Sequence, residues 1–185
     1  METKGTAVIA TRDFVKTRHG EEGLQKLMKS LDPDTAKSYS RIILSNNWFD
    51  LQKMLVEPSV KISELFYNND KKVFWEIGRH SADHGLKGIY RLFVKVGSPQ
   101  FILSKAGSIL PTYYNPSEME GEVIDKNKFS VRIIKFEKYS DVVEMRIGGW
   151  IEKALEICGC KNIKIEIPKS FLKKDDHTQY LINWD

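Results

Sequence analysis

The side chains that read as buried change period near residue 111, and that change limits the folds open to this chain. Up to Leu110 they recur at helical spacing. Ala7, Val8, Thr11, Phe14 and Val15 form one such face, which Gly20 ends after His19. Leu24, Leu27, Met28 and Leu31 form a second, stopped by Asp32-Pro33. Asn47 reads as the N-cap of a third helix, with Asp50 at N3 and Trp48, Leu51 and Leu55 on its buried face. Glu57-Pro58 interrupts that helix, and Val60 to Phe66 continue it at a new angle. Asn69 or Asp70 caps the next, where Val73, Phe74 and Ile77 face inward. Gly85 and Gly88 loosen or break it before Leu86, Ile89, Tyr90 and Phe93 resume the period. Ser98-Pro99 is a cap followed by a proline at the first helical position, so a helix is expected to about Leu110, ending at Pro111.

Beyond Pro111 the pattern becomes strand-like. Gly121 to Ile124 and Phe129 to Phe136 read as strands around a turn at Asp125 to Lys128. Ile163, Ile165 and Ile167 alternate strictly, as do Tyr180, Ile182 and Trp184, with Lys173 to Asp176 as the loop between them. Between the two pairs, Val142, Val143, Met145, Ile147, Trp150, Ile151, Leu155 and Ile157 fit a long amphipathic helix that Gly159 can terminate. Helices first, then strand–strand–helix–strand–strand, is an α+β pattern: an N-terminal helical layer followed by a small antiparallel sheet. No repeat, low-complexity stretch or linker divides the chain, so residues 1–185 are expected to form a single domain.

Gly148-Gly149 sits oddly in the long helix, because each glycine costs about 1 kcal/mol there relative to alanine. Close approach of the sheet, another helix or a partner's matching helix would compensate, with Trp150 buried beside the contact.

Composition narrows the function. The 185 residues are 41% hydrophobic and 29% charged, ordinary values for a packed domain. The net charge is +4, and the bases are interleaved with acids instead of forming a nucleic-acid footprint. Met1-Glu2-Thr3-Lys4 opens no apolar leader, and no apolar run approaches membrane-spanning length. Cys158 and Cys160 are too few and too close together for a disulfide framework. A soluble, cytoplasmic protein is expected.

Three clusters carry ligand or catalytic residue types. His80 and His84, four apart in "GRHSADHGLKGIY", stack on one helical face and can share a metal ion, or they can pack at the helix end, where a partly positive imidazole suits the dipole. Packing is favoured, since no other His/Cys cluster is near in sequence. Cys158-Gly159-Cys160 reads as a helix-terminating glycine between two small residues in preference to a redox or metal pair. Asp175-Asp176-His177 reads as solvated turn chemistry. No phosphate loop, nucleophile elbow or zinc-protease helix is present. No catalytic residue, metal ligand or cofactor is therefore assigned.

The stretches "KGTAVIATRDFVKTRHGEEGLQKLM", "SNNWFDLQKML", "EIGRHSADHGLKGIYRLFVKVGSPQFIL" and "GGWIEKALEICGCKNIKIEI" together resemble a family of uncharacterised bacterial proteins expanded in myxobacteria. That family is similar to the superfamily of the 4-vinyl-reductase domain, the haem nitric-oxide/oxygen-binding (H-NOX) domains and the TRAPP tethering subunits. The resemblance implies a helical layer on an antiparallel sheet, an interior pocket for a small or lipid-like ligand, and frequent dimers. Compared residue by residue, "GSILPTYY" places Pro111 where H-NOX domains carry the iron-ligating histidine, and proline offers iron no lone pair. The strand "SVRIIKFEKYS" lacks the Tyr-x-Ser-x-Arg triplet that holds haem propionates, and Tyr39-Ser40-Arg41 has the wrong spacing. "EIPKSFLKKDDHTQYLINW" lacks the cysteines of many 4-vinyl-reductase domains, with Ser170 near the first expected position. No cysteine precedes Cys158, so the TRAPP acylation site is missing too.

The expectation is a non-enzymatic, haem-free sensor or carrier domain, working as a homodimer. The central helices concentrate aromatic residues, and a pocket lined by some of them suits an apolar ligand with one polar end. Phe74, Ile77, Tyr90, Phe101, Leu110 and Tyr113 are the candidate lining residues. The alternative is a TRAPP-like protein–protein scaffold without an obligatory ligand.

Overall fold

The computed structural model describes residues 1–86 and 98–185. Strand β1 (Glu2–Lys4) leads into α1 (Gly5–Ser30), which Gly20 breaks by adopting φ +69°. Next come α2 (Pro33–Ser40), β2 (Trp48–Asp50), a π-helical turn (Gln52–Val56), α3 (Glu57–Phe66) and α4 (Lys72–Gly85). After residue 97 follow α5 (Pro99–Ser104), α6 (Ala106–Tyr113), β3 (Tyr114–Asn115), β4 (Ser117–Asp125) and β5 (Lys128–Phe136). The chain continues with α7 (Asp141–Cys158), β6 (Lys164–Lys169), a 3-10 turn (Phe171–Lys173) and β7 (Thr178–Asn183). The main sheet is antiparallel throughout, in the order β4-β5-β7-β6, and a smaller sheet is ordered β2-β1-β3.

The strand–strand–helix–strand–strand pattern is present as expected. Ile165 lies opposite Ile182, and Val131 opposite Tyr180, in the registers that alternation requires. Phe129, Val131, Ile133, Tyr180 and Ile182 are fully buried. Helix α7 is tied to this sheet by the Tyr180 hydroxyl, which donates to the Glu144 carbonyl at 2.8 Å. Ser140 caps α7 at its N-terminus, and Gly159 closes it in the left-handed region at φ +99°.

Several local expectations need correcting. Asn47 does not cap a helix. Trp48–Asp50 instead forms β2, pairing with β1, and Lys4 Nζ lies 4.1 Å above the Trp48 ring. The helical segment begins after it, with the Asp50 carboxylate accepting the Lys53 N–H at 2.9 Å. Asp32-Pro33 ends one helix and starts another, because the Asp32 carboxylate accepts the N–H groups of Asp34 and Thr35. Pro111 lies inside α6 instead of ending it. The Tyr114 N–H reaches the Leu110 carbonyl and the Thr112 hydroxyl the Ile109 carbonyl, so the final turn closes around the proline. The expected helical residues Ile89, Tyr90 and Phe93, and Gly88, lie outside the described residues.

The glycine pair behaves as a contact surface, and the neighbour is α4. A Cβ at Gly149 would stand 2.1 Å from the Trp75 carbonyl oxygen, and one at Gly148 would stand 2.3 Å from the Trp75 ring. From the other side, a Cβ at Gly78 would stand 2.1 Å from the Arg146 carbonyl oxygen. Two helical backbones touch here with no side chain between them. Arg79 clamps the crossing by binding Glu152 and Glu156, and the Trp75 indole donates to Glu152 at 2.8 Å. Trp75, not Trp150, is the tryptophan at the crossing. Gly149→Leu should therefore force α4 and α7 apart and destabilise the fold by about 1–3 kcal/mol or more, read as a lower urea midpoint. An unchanged midpoint would mean the two backbones do not touch.

Candidate functional site

Between the α4–α7 pair on one side and α5, α6 and β4 on the other lies a partly enclosed chamber of about 60 Å3. Its wall is apolar over most of its surface, with Leu103, Leu110, Met119, Ile147, Ile151 and Leu155 among the contributors. A second, wider cleft of about 710 Å3 opens beside it, edged by Lys4, Ser45, Phe101 and Lys105. Ile102, Ile109, Tyr113 and Trp150 line both. These four side chains are the partition between chamber and cleft. A water molecule needs roughly 10–15 Å3 of such free space, so the inner chamber admits a few atoms, while the cleft has the size of a ligand pocket.

The sequence-level candidates distribute unevenly around this cavity. Leu110 and Tyr113 line the chamber, and Phe101 and Tyr113 line the cleft, where Phe101 is 54% exposed. Phe74 and Ile77 are packed in the hydrophobic core on α4 and line neither. Tyr90 lies outside the described residues. Pro111 is exposed, and the α6 residues facing the chamber are Ile109, Leu110 and Tyr113.

His80 and His84 turn to α1. His80 Nε2 is 2.9 Å from the Asp13 carboxylate and His84 Nδ1 is 3.7 Å from it, while the Phe14 ring meets His80 edge-on at 5.5 Å. The pair joins α4 to α1. Among the described residues, no three His, Cys, Asp or Glu side chains are grouped to hold a metal ion. Cys158 and Cys160 are half-buried thiols hydrogen-bonded to each other, and burial pushes both pKa values up, that of Cys160 to about 11. Neither is poised as a thiolate. His177 contacts Asp176 at 2.7 Å in the loop before β7.

The polar residue that dominates the chamber is one that periodicity passes over. Arg146 on α7 is only 3% exposed. Its Nη1 donates to the hydroxyls of Thr11 on α1 and Ser59 on α3, at 2.9 and 3.0 Å. Its Nη2 reaches the Ala7 carbonyl and the Ser81 hydroxyl on α4, each at 3.4 Å. Thr11, Ser59 and Ser81 each donate their own proton back to the carbonyl four residues earlier. Their lone pairs are thereby left for the guanidinium. Burial pushes the Arg146 pKa down, partly offset by Tyr114 and Tyr39. A guanidinium nonetheless stays charged at neutral pH. A sequence signal exists, since Arg146 falls four residues after Val142 and four before Trp150, on the apolar stripe of α7.

Trp150 supplies a second polar atom. Its indole N–H is buried without a hydrogen-bond partner among the described residues, on a ring that packs edge-on to Tyr113 at 6.1 Å. Because Trp150 is half-buried, Trp150→Ala should destabilise by about 1–3 kcal/mol, less than the roughly 3–5 of a fully buried tryptophan. Urea unfolding measures this. A loss at the upper figure would make Trp150 a core residue and not a partition.

No protein-family model and no curated protein matches this sequence. Solved structures do match. One is an H-NOX protein from S. oneidensis in the Fe(II)NO state, 14% identical, with a TM-score of 0.77 over 98% of this chain and 99% of that one. Another is the Fe(II) unliganded H-NOX protein from K. algicida, 15% identical, with a TM-score of 0.70 over 98% and 96% of the two chains. The NMR structure of the Shewanella oneidensis H-NOX domain in the Fe(II)CO state matches with 14% identity and a TM-score of 0.74 over 98% of each chain. At these identities the likeness is one of fold: this chain has an H-NOX-like α+β architecture.

Proposed function

We propose that this chain is a non-enzymatic, cytoplasmic, haem-free ligand-binding domain of the sensor or carrier type. It holds a small hydrophobic or lipid-like molecule between the helical layer and the α5–α6–β4 wall. The observation that carries this reading is the pair of adjoining spaces, an apolar inner chamber and a ligand-sized cleft, that share Ile102, Ile109, Tyr113 and Trp150.

The H-NOX proteins of similar fold are described in Fe(II) states, but the chamber here does not suit a haem. No histidine or cysteine lines it among the described residues, and the α6 positions that face it are Ile109, Leu110 and Tyr113. The adjoining cleft is ligand-sized, but among the described residues no histidine or cysteine lines it either. Titration with hemin should give no stoichiometric Soret band. A stoichiometric band lost in His80→Ala or His84→Ala would overturn the haem-free reading, and would assign the iron to the histidines that now face Asp13. Native mass spectrometry of the purified protein should show a co-purifying apolar molecule that Ile109→Trp, by filling the partition, excludes.

One observation favours the adaptor reading and the homodimer. Ile42 is 89% exposed and Leu44 is 53% exposed on the loop between α2 and β2. Two apolar side chains this open are suited to a protein surface. Sedimentation analysis should show a dimer that Ile42→Ser with Leu44→Ser dissociates. A monomeric parent chain would remove self-association from the proposal.

A further inference from the structure

Arg146 is a cation enclosed in the helical core without an anion. Among the described residues none of its hydrogen-bond partners is a carboxylate, and residues 87–97 contain no Asp or Glu. The acids on its own helix are committed elsewhere: Asp141 to Lys71, Glu144 to Ser170, and Glu152 and Glu156 to Arg79. The hydroxyls of Thr11, Ser59, Ser81 and Tyr114 and the Ala7 carbonyl satisfy its hydrogen bonds but leave its charge uncompensated, and a buried charge without a counter-charge is costly.

The two ends of the guanidinium differ. The Nη1 partners, Thr11 and Ser59, lie outside the chamber lining, and their bonds are short. The Nη2 partners, Ala7 and Ser81, both line the chamber, and their 3.4 Å bonds are loose. The Nη2 edge is therefore the chamber edge. Tyr114, whose hydroxyl accepts from Arg146, and the Trp150 indole N–H, which has no partner among the described residues, line the same space, so the guanidinium and the indole are its donors.

From this we infer that Arg146 is the anion-recognition point of the cavity, and that the ligand is an amphipathic carboxylate. Its head group meets Nη2 in the inner chamber. Its apolar chain passes between Ile102, Ile109, Tyr113 and Trp150 into the wider cleft. The inference rests on the ligand-binding reading above and adds the charge and orientation of the ligand. A carboxylate fits an inner space of about 60 Å3 and gains charge-assisted hydrogen bonds from a guanidinium already held in position. The opposite orientation, with the head at Lys4 and Lys105 on the cleft edge, is the competitor.

Decanoate and 1-decanol share an apolar chain and differ in the head group, so calorimetric titration of the intact protein with each isolates the charge. Decanoate should bind about tenfold or more tightly than decanol. The double variant Lys4→Gln with Lys105→Gln, which removes the cleft-edge charges together with their contacts to the Trp48 and Phe101 rings, should keep that preference, and Arg146→Gln should lose it. Arg146→Gln sits in the core and can fail to fold, but the parent chain and the lysine variant decide the question without it. Equal binding of the two probes overturns the anion inference and leaves the ligand-binding reading standing. A preference that disappears in the lysine variant also overturns it, placing the head group at the cleft edge. Binding of neither probe removes the ligand-binding reading and this inference together.

Discussion

The backbone contact between α4 and α7 sets the dimensions of everything around it. Gly78, Gly148 and Gly149 let the two helices meet at distances that a single Cβ would forbid. That closeness brings Arg146 against α4, within reach of hydroxyls on α1, α3 and α4 at once. The helical layer is thus joined at one point by backbone packing and at the adjacent point by a single side chain that touches three other helices. Arg79 with Glu152 and Glu156 fixes the outer side of the same crossing. The inner chamber lies against this crossing, and its polar character comes from the same residue.

The arrangement around Arg146 has an electrostatic asymmetry. Hydrogen-bond satisfaction and charge compensation are separate requirements, and the cradle meets only the first. Thr11, Ser59 and Ser81 are oriented by their own back-bonds to serve as acceptors, so the cation is solvated by fixed dipoles instead of water. The Tyr139 and Tyr180 hydroxyls and the Glu144 backbone carbonyl form a hydrogen-bonded chain, and burial raises the pKa of both phenols, as it does that of the Glu144 carboxyl, which accepts from Ser170.

The sequence was most legible where an element was long and its period unmixed. The two strand pairs and α7 could be read because their alternation or helical stripe persists over several consecutive residues. The glycine pair announced a close contact for the same reason: two glycines within a strong helical pattern ask for compensation. The short strands β1, β2 and β3 escaped because two or three residues carry no period. Helix α2 escaped because Asp32-Pro33, read as a stop signal, serves equally well as a start. Pro111 misled because a proline within a short helix is tolerated when neighbouring bonds close the turn around it.

Of the candidate lining residues, Leu110, Tyr113 and Phe101 border the cavity, whereas Phe74 and Ile77 belong to the core, a distinction that apolar character cannot make. The residue that defines the chamber, Arg146, was visible only as a charge on an apolar stripe. By itself the sequence determined the class of fold, the order of its elements and the need for a close helix contact, because those follow from local period and local backbone cost. Which helix supplied the contact, which tryptophan sat at it, and which hydroxyls surrounded the arginine were decided by tertiary structure. Residues 11, 59, 81 and 146 share no local pattern, and only packing of four helices brings them within hydrogen-bonding distance.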